Sequence, residues 1–196
     1  MKQSLAGIKV AVLVANGFVE QDMTSANKAL IEVGAHVRIV SSENGLVNSW
    51  DGAGWGHHFA VDSPLSAALA ADYHALVVPG GQRSLDKLKL TAHSRRFIAS
   101  FISTEKPVAL FDNAVSLMIF TDTVRDLTVG GPAELEPEIL FAGGQWSPEA
   151  PCRFNHVMSG VVTEETRPAF ISDMIDHFDM VMKASAGEPA KEIKAA

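Results

Sequence analysis

Apolar and polar positions alternate between two periods along the chain. Ile8–Val14 (IKVAVLV) is a nearly continuous apolar, β-branched run, the pattern of a strand buried on both faces. Asn16-Gly17 interrupts it. From Asp22 to Val33 the apolar residues Met23, Ala26, Leu30 and Val33 recur at steps of three and four, which predicts a helix. Gly34 stands where a C′ residue would end that helix. Val37–Val40 predicts the next strand, and Glu43-Asn44-Gly45 a turn. Leu46 to Asp62 reads as an excursion with one or two short strands. Ser63-Pro64 predicts the opening of a short helix running to Ala71. Ala75–Val78 predicts a buried strand that ends in Pro79-Gly80-Gly81. Ala92–Thr104 predicts a helix and Pro107–Phe111 a strand, followed at once by Asp112-Asn113 and a helix-compatible run, Ala114–Phe120. Thr121 to Pro151 is less regular, broken at Gly130-Gly131-Pro132 and Gly143-Gly144. His156–Val162 predicts a late strand. Arg167–Met182 predicts an amphipathic helix with Phe170, Met174, Ile175 and Phe178 on one face.

Buried strands alternating with helices argue for an α/β fold: an open, mainly parallel sheet covered on both faces. In such sheets, sites form at the carboxyl ends of strands. Three strand ends carry unusual residues: Asn16–Asp22, Pro79–Gly81 and Asp112-Asn113. No internal repeat divides the chain of 196 residues. One domain is expected over 1–183, with a small, charged and flexible tail over 184–196.

Composition narrows the function. At 47% hydrophobic and 20% charged residues, the chain is not of the disordered class. Its single cysteine, Cys152, excludes an intramolecular disulfide and a cysteine-rich zinc site. Cys152 lies in a Pro-flanked segment that reads as exposed, with no base beside it. The formal net charge of −7 repels phosphate backbones and anionic membranes, so neither nucleic acid nor membrane is expected as a partner. A basic n-region, an apolar h-region and a membrane-length apolar run are all missing, so a cytoplasmic protein is expected.

Asp112 is the first candidate for chemistry. It follows a strand and precedes a helix, on a sharp turn that can hold a side chain over the end of the sheet. There it could serve as general base, nucleophile or ligand. It could equally be a helix N-cap, since Asp and Asn are among the best caps. Asp22 falls in the first turn of its helix, where an acid suits the dipole. Should the two carboxyls meet, one pKa would rise and they would share a proton. The Gly80 and Gly81 amides could supply an oxyanion hole, or simply form a tight turn. His57-His58 is an adjacent pair, but strand neighbours point to opposite faces, so no shared metal is expected. Gly-x-Gly-x-x-Gly after the first strand, Walker A, Gly-x-Ser-x-Gly, His-Glu-x-x-His and Cys-x-x-Cys are all absent. No metal and no cofactor is therefore expected. Ser116 lies near the turn, but position alone does not make it a nucleophile.

Taken in order, these stretches resemble the ThiJ/PfpI family of the class I glutamine-amidotransferase-like superfamily. The resemblance runs from about Ile8 to Met182. It rests on Lys9–Val14 with Gly17-Phe18, Gly34–Ser41, Trp55-Gly56 through Val61-Asp62, Asp72–Gly81, Lys106–Ala109 and Ala142–Trp146. It implies a flavodoxin-like three-layer α/β sandwich with a mainly parallel central sheet, assembled as a homodimer. It also implies intracellular protease- or amidase-like, glyoxalase, hydratase or chaperone relatives. The enzymes among them carry a cysteine on the turn, often followed by His-Gly-Pro. A first-loop carboxylate contacts that thiol.

By the same resemblance, this chain places Asp112 at the cysteine position, Asn113 at the histidine, Ala114-Val115 at the Gly-Pro and Asp22 at the first-loop glutamate. Gly131 stands before Pro132, where relatives often have a larger residue, and is expected to widen the pocket. Asp86 lies in the stretch from which a neighbouring subunit's acid joins the site of peptidase-like members. A carboxylate cannot replace a thiolate in thioester or hemithioacetal chemistry, nor an amide a histidine in proton transfer. Two readings follow. The first is a non-catalytic or small-molecule-binding protein, with Asp112 mainly a cap. The second is a hydrolase or lyase of altered chemistry, in which Asp22 and Asp112 act on a small carbonyl or amide and Gly80 and Gly81 donate to the oxyanion. Asn113 and Gly131 line the pocket in both.

Overall fold

The computed structural model describes residues 5–187. Its strands and helices, in chain order, begin with β1 (Lys9–Val14), β2 (Phe18–Val19), α1 (Glu20–Glu32), β3 (His36–Ser41), β4 (Leu46–Trp50), β5 (Trp55–Ala60) and β6 (Ser63–Pro64). The middle holds β7 (Ala75–Val78), α2 (Gln82–Lys89), α3 (Ala92–Ser103), β8 (Val108–Phe111) and α4 (Ser116–Phe120). The last part holds β9 (Thr128–Gly130), α5 (Glu136–Phe141), β10 (Gln145–Ser147), β11 (Cys152–Phe154), β12 (Val157–Gly160) and α6 (Arg167–Ser185).

The central sheet has seven strands in the order β11-β12-β8-β7-β1-β3-β6. All neighbours pair parallel except β11 with β12. Strand alternation splits the core in two, as a sheet covered on both faces requires. Val10, Val12 and Val14 meet Met23, Leu30, Phe170, Met174 and Phe178 of α1 and α6. Ala11 and Leu13 face the other way, to the cluster holding Leu85, Phe97, Phe101 and Leu117 of α2, α3 and α4. Each of these fully buried large side chains contributes about 1.5–3 kcal/mol through loss of apolar surface from water. The fold is thus the flavodoxin-like three-layer α/β sandwich. Two small sheets lie outside it, β2-β4-β5 and β9-β10.

Four expectations need correction. Ser63-Pro64 is not a helix start. It forms β6, paired parallel with β3, and Leu65 N–H donates to the Ser41 carbonyl, so edge pairing wins over helix opening. A single 3-10 turn, Ala70–Asp72, follows later. Helix α2 arises where no helix is expected, because Leu85, Leu88 and the small Ser84 suffice to bury one side. Cys152 is not exposed but lies buried in β11. Helix α6 reaches Ser185, beyond Met182, into the stretch expected as tail; the remainder of that tail, 188–196, lies outside the described residues.

Candidate functional site

Asp112 stands where β8 gives way to a 3-10 turn over Asp112–Val115. Its φ is +51°, the left-handed region that Asp tolerates better than most L residues. The sharp turn read from the sequence is present. The capping role is not. The 3-10 turn has no side-chain cap, and the Asp112 Oδ1 instead accepts from the Val162 N–H at 2.7 Å, across from the end of β12. Asp112 therefore ties two strand ends together.

Helix α1 begins two residues before Asp22, which turns that side chain inward rather than towards water. Asp22 is fully buried. Its Oδ1 accepts from Arg167 Nε at 3.0 Å, and its Oδ2 from the Gly80 N–H at 3.2 Å. The two carboxyls flank one glycine. A Cβ on Gly80 would lie 3.1 Å from Asp22 Oδ2 and 3.2 Å from Asp112 Oδ2. No hydrogen bond joins the two carboxyls directly; they are neighbours across Gly80, and Arg167 pairs with Asp22.

Burial pushes the Asp22 carboxyl up to about 6. The Arg167 guanidinium opposes that rise and the Asp112 charge adds to it. Burial raises Asp112 as well, against the Val162 amide and Arg167. Arg167 is not among the candidates read from the sequence. A cation in the first turn of a helix opposes the helix dipole, and that misfit is the available signal. Arg167 also donates through Nη1 to Gln21 Oε1 at 3.1 Å.

The expected oxyanion donors are already engaged. Gly80 N–H serves Asp22, and Gly81 N–H serves Asn113 Oδ1 at 3.4 Å. Asn113 Nδ2 in turn donates to Gln82 Oε1 at 2.7 Å. Gly81 has φ +118°, and a Cβ there would meet the Gly17 carbonyl at 2.6 Å, so only glycine fits. Gly131 does not widen the pocket: Val115 Cγ1 lies 2.8 Å from where its Cβ would stand. Ser116 is buried with an unpartnered hydroxyl. Burial raises the Cys152 thiol, which holds it in the unreactive protonated form.

Beside the aspartates opens a cleft of about 630 Å³, which Gly81 and Gln82 share with Glu20, Trp50, Asp51, His57 and Arg83. Neither Asp22 nor Asp112 lines it. His57 and His58 go to different partners, Glu20 and Asn48, as opposed strand neighbours should. Among the described residues no group of three or more His, Cys, Asp or Glu is placed to hold a metal ion. None of the described helices is long and apolar enough to cross a membrane.

Comparison with known proteins agrees with the architecture. The DJ-1/PfpI family model matches residues 8–176, and the chain belongs to that family. It is 28% identical over 138 residues to the "Putative cysteine protease YraA" of Bacillus subtilis, covering 70% of this chain and 79% of that one. It is 24% identical over 159 residues to the uncharacterized protein SAV1875 of Staphylococcus aureus, covering 80% and 91%. Among solved structures, a mutant of the DJ-1 superfamily protein STM1931 from Salmonella typhimurium superposes with a TM-score of 0.74 at 19% identity, covering 92% of this chain and 91% of that one. A two-domain protein of Anabaena variabilis with DJ-1/ThiJ/PfpI-like and ferritin-like domains gives a TM-score of 0.76 at 19% identity, covering 96% of this chain and 52% of that one.

Proposed function

We propose that this DJ-1/PfpI protein works without a cysteine nucleophile and binds a small molecule in the cleft beside Gly81. One observation carries the reading. The groups that acyl-transfer chemistry would need are committed elsewhere: the turn after β8 carries Asp112, bonded to Val162, and the Gly80 and Gly81 amides serve Asp22 and Asn113. The lone thiol, Cys152, is buried in β11, away from that turn in the chain. Asp22, Asp112 and Arg167 act as a partly buried ion cluster that fixes the strand ends. The cleft has the size of a small-molecule site, for which roughly 300–1,000 Å³ is usual.

The raised carboxyl pKa values favour the carboxyl-pair enzyme as a second reading. The engaged amides weigh against it, because a developing oxyanion would find no donor there. The purified protein, Asp112→Ala and Cys152→Ser are to be assayed on a panel of aldehydes, amides and isocyanides. The expected result is no turnover, or equal turnover in all three. Turnover lost in Asp112→Ala establishes the carboxyl-pair enzyme instead. Turnover lost in Cys152→Ser refutes thiol independence.

A further inference from the structure

The cleft carries spare cationic or protonatable side chains, and they point to a ligand class. We infer that it takes a small carboxylate with a flat apolar body, gripped by Arg83 and His57 alongside Trp50; this rests on the small-molecule reading above.

Arg83 lies over the Trp50 ring, 4.1 Å from the guanidinium carbon to the ring centroid. Trp55 supports Trp50 edge-on, with centroids 5.3 Å apart. Stacking uses the face of a guanidinium and leaves the N–H groups on its edge free. Among the described residues, Arg83 has no carboxylate partner and no hydrogen bond. A planar fork held against an aromatic face and left unpaired matches the two oxygens of a carboxylate.

His57 supplies the second donor in its imidazolium form, since Nδ1–H is already given to Glu20 and Nε2 donates only when the ring is protonated. Its Nδ1 lies 2.7 Å from Glu20 Oε1, which fixes the ring and leaves Nε2 without a partner among the described residues. The cleft's acids are engaged within the protein, Glu20 through both oxygens and Asp51 through one. Glu20 accepts from His57 through both oxygens and also from the Ser49 hydroxyl, and these bonds hold its pKa below the usual carboxylate value. Asp51 Oδ1 accepts the Ala53 and Gly54 amides of its own turn. Gln82 bonds Asp86 and Asn113. Besides the second carboxylate oxygen of Asp51, the side-chain groups left over are the Arg83 guanidinium and His57 Nε2.

Two glycines make this arrangement possible. A Cβ on Gly17 would stand 2.4 Å from Arg83 Cβ, so any other residue would displace the arginine stem. A Cβ on Gly56 would stand 2.3 Å from Ser49 Oγ and 3.0 Å from Glu20 Oε2, breaking the bonds that hold His57. An aromatic cage for an organic cation is the obvious rival, but the face of Trp50 is already covered by the protein's own cation.

Calorimetric titration of the full chain tests the inference. The probes are benzoate, phenylacetate and indole-3-acetate, their primary amides, and benzyltrimethylammonium. At least one carboxylate should bind with submillimolar Kd, and its amide at least ten-fold more weakly. Arg83→Gln should lose ten-fold or more, Arg83→Lys less, and His57→Gln an intermediate amount. Arg95→Gln, whose guanidinium pairs with Asp122, should bind as the parent does. An amide or ammonium probe bound as tightly as the carboxylate overturns the anion assignment and leaves the small-molecule reading standing. Unchanged affinity in Arg83→Gln also overturns the assignment. If no probe binds, both fall.

Discussion

Replacing Arg167 by methionine, which keeps much of the side-chain volume, isolates the role of the cation that faces buried Asp22. Asp22 is fully buried, and its pKa stands at about 6 against an ordinary 3.8, so ionising it at pH 8 already costs about 3 kcal/mol with Arg167 in place. Removing the guanidinium leaves a buried charge without its partner, for which about 3–5 kcal/mol is the usual loss. In a domain of this size that corresponds to a fall in Tm of roughly 6–20 °C at pH 8. The sign with pH follows from the raised value. Asp22's contribution to stability is fully present below 3.8 and lost as the pH rises through about 6. At pH 5 the Asp22 of the variant is protonated, and the penalty shrinks to lost packing and hydrogen bonds, about 1 kcal/mol. Urea denaturation of both proteins at pH 5 and pH 8 measures this. A variant that loses the same stability at both pH values, or less than about 1 kcal/mol at pH 8, refutes the account of Arg167 as Asp22's counter-charge.

Other changes have distinct signatures. Asp112→Asn should stay within about 1 kcal/mol of the parent in chemical denaturation, because Asn tolerates positive φ and can still accept from Val162; Asp112→Val should cost about 2–3 kcal/mol. Gly81→Ala should be the more damaging of two neighbouring substitutions, costing over about 3 kcal/mol, because its Cβ meets backbone and its φ is positive; Gly80→Ala meets only aspartate side-chain atoms and should cost about 1–2 kcal/mol. His177 is buried with both ring nitrogens unpartnered, and burial lowers its pKa, so its neutral form holds the fold above the ordinary histidine value and stability falls as the pH drops below it. His177→Phe should flatten that acid limb in a pH series of melts. Cys152 should resist iodoacetamide at pH 7.5 in the folded protein and react once urea unfolds it, as read by mass spectrometry.

The parts of the fold legible in the sequence are those where burial writes a period. β1 is buried on both faces and reads as a continuous apolar run. Helices α1 and α6 show their apolar stripe at steps of three and four. Helix α2 is hidden because it buries little more than Leu85 and Leu88 among charged neighbours. Ser63-Pro64 misleads because a proline suits an edge strand as well as a first helical turn. In the site, the turn at Asp112 and the glycines after β7 are local features and are visible. The partners are not. Asp112 finds Val162 fifty residues on, and Glu20, Ser49 and His57 meet across a hairpin whose register no local pattern prints. That the Gly80 and Gly81 amides are engaged cannot be read either, because a free amide and an engaged amide have the same sequence.

The pair between Arg167 and Asp22 joins positions 145 residues apart. During synthesis, α1 and β1 exist long before the residue that neutralises their buried acid. Until α6 leaves the ribosome, the half-made sheet gains by keeping Asp22 protonated or in water. Closing the layer around α1 before α6 is made would bury Asp22 without its counter-charge, so α6 completes the charge balance as well as the layer.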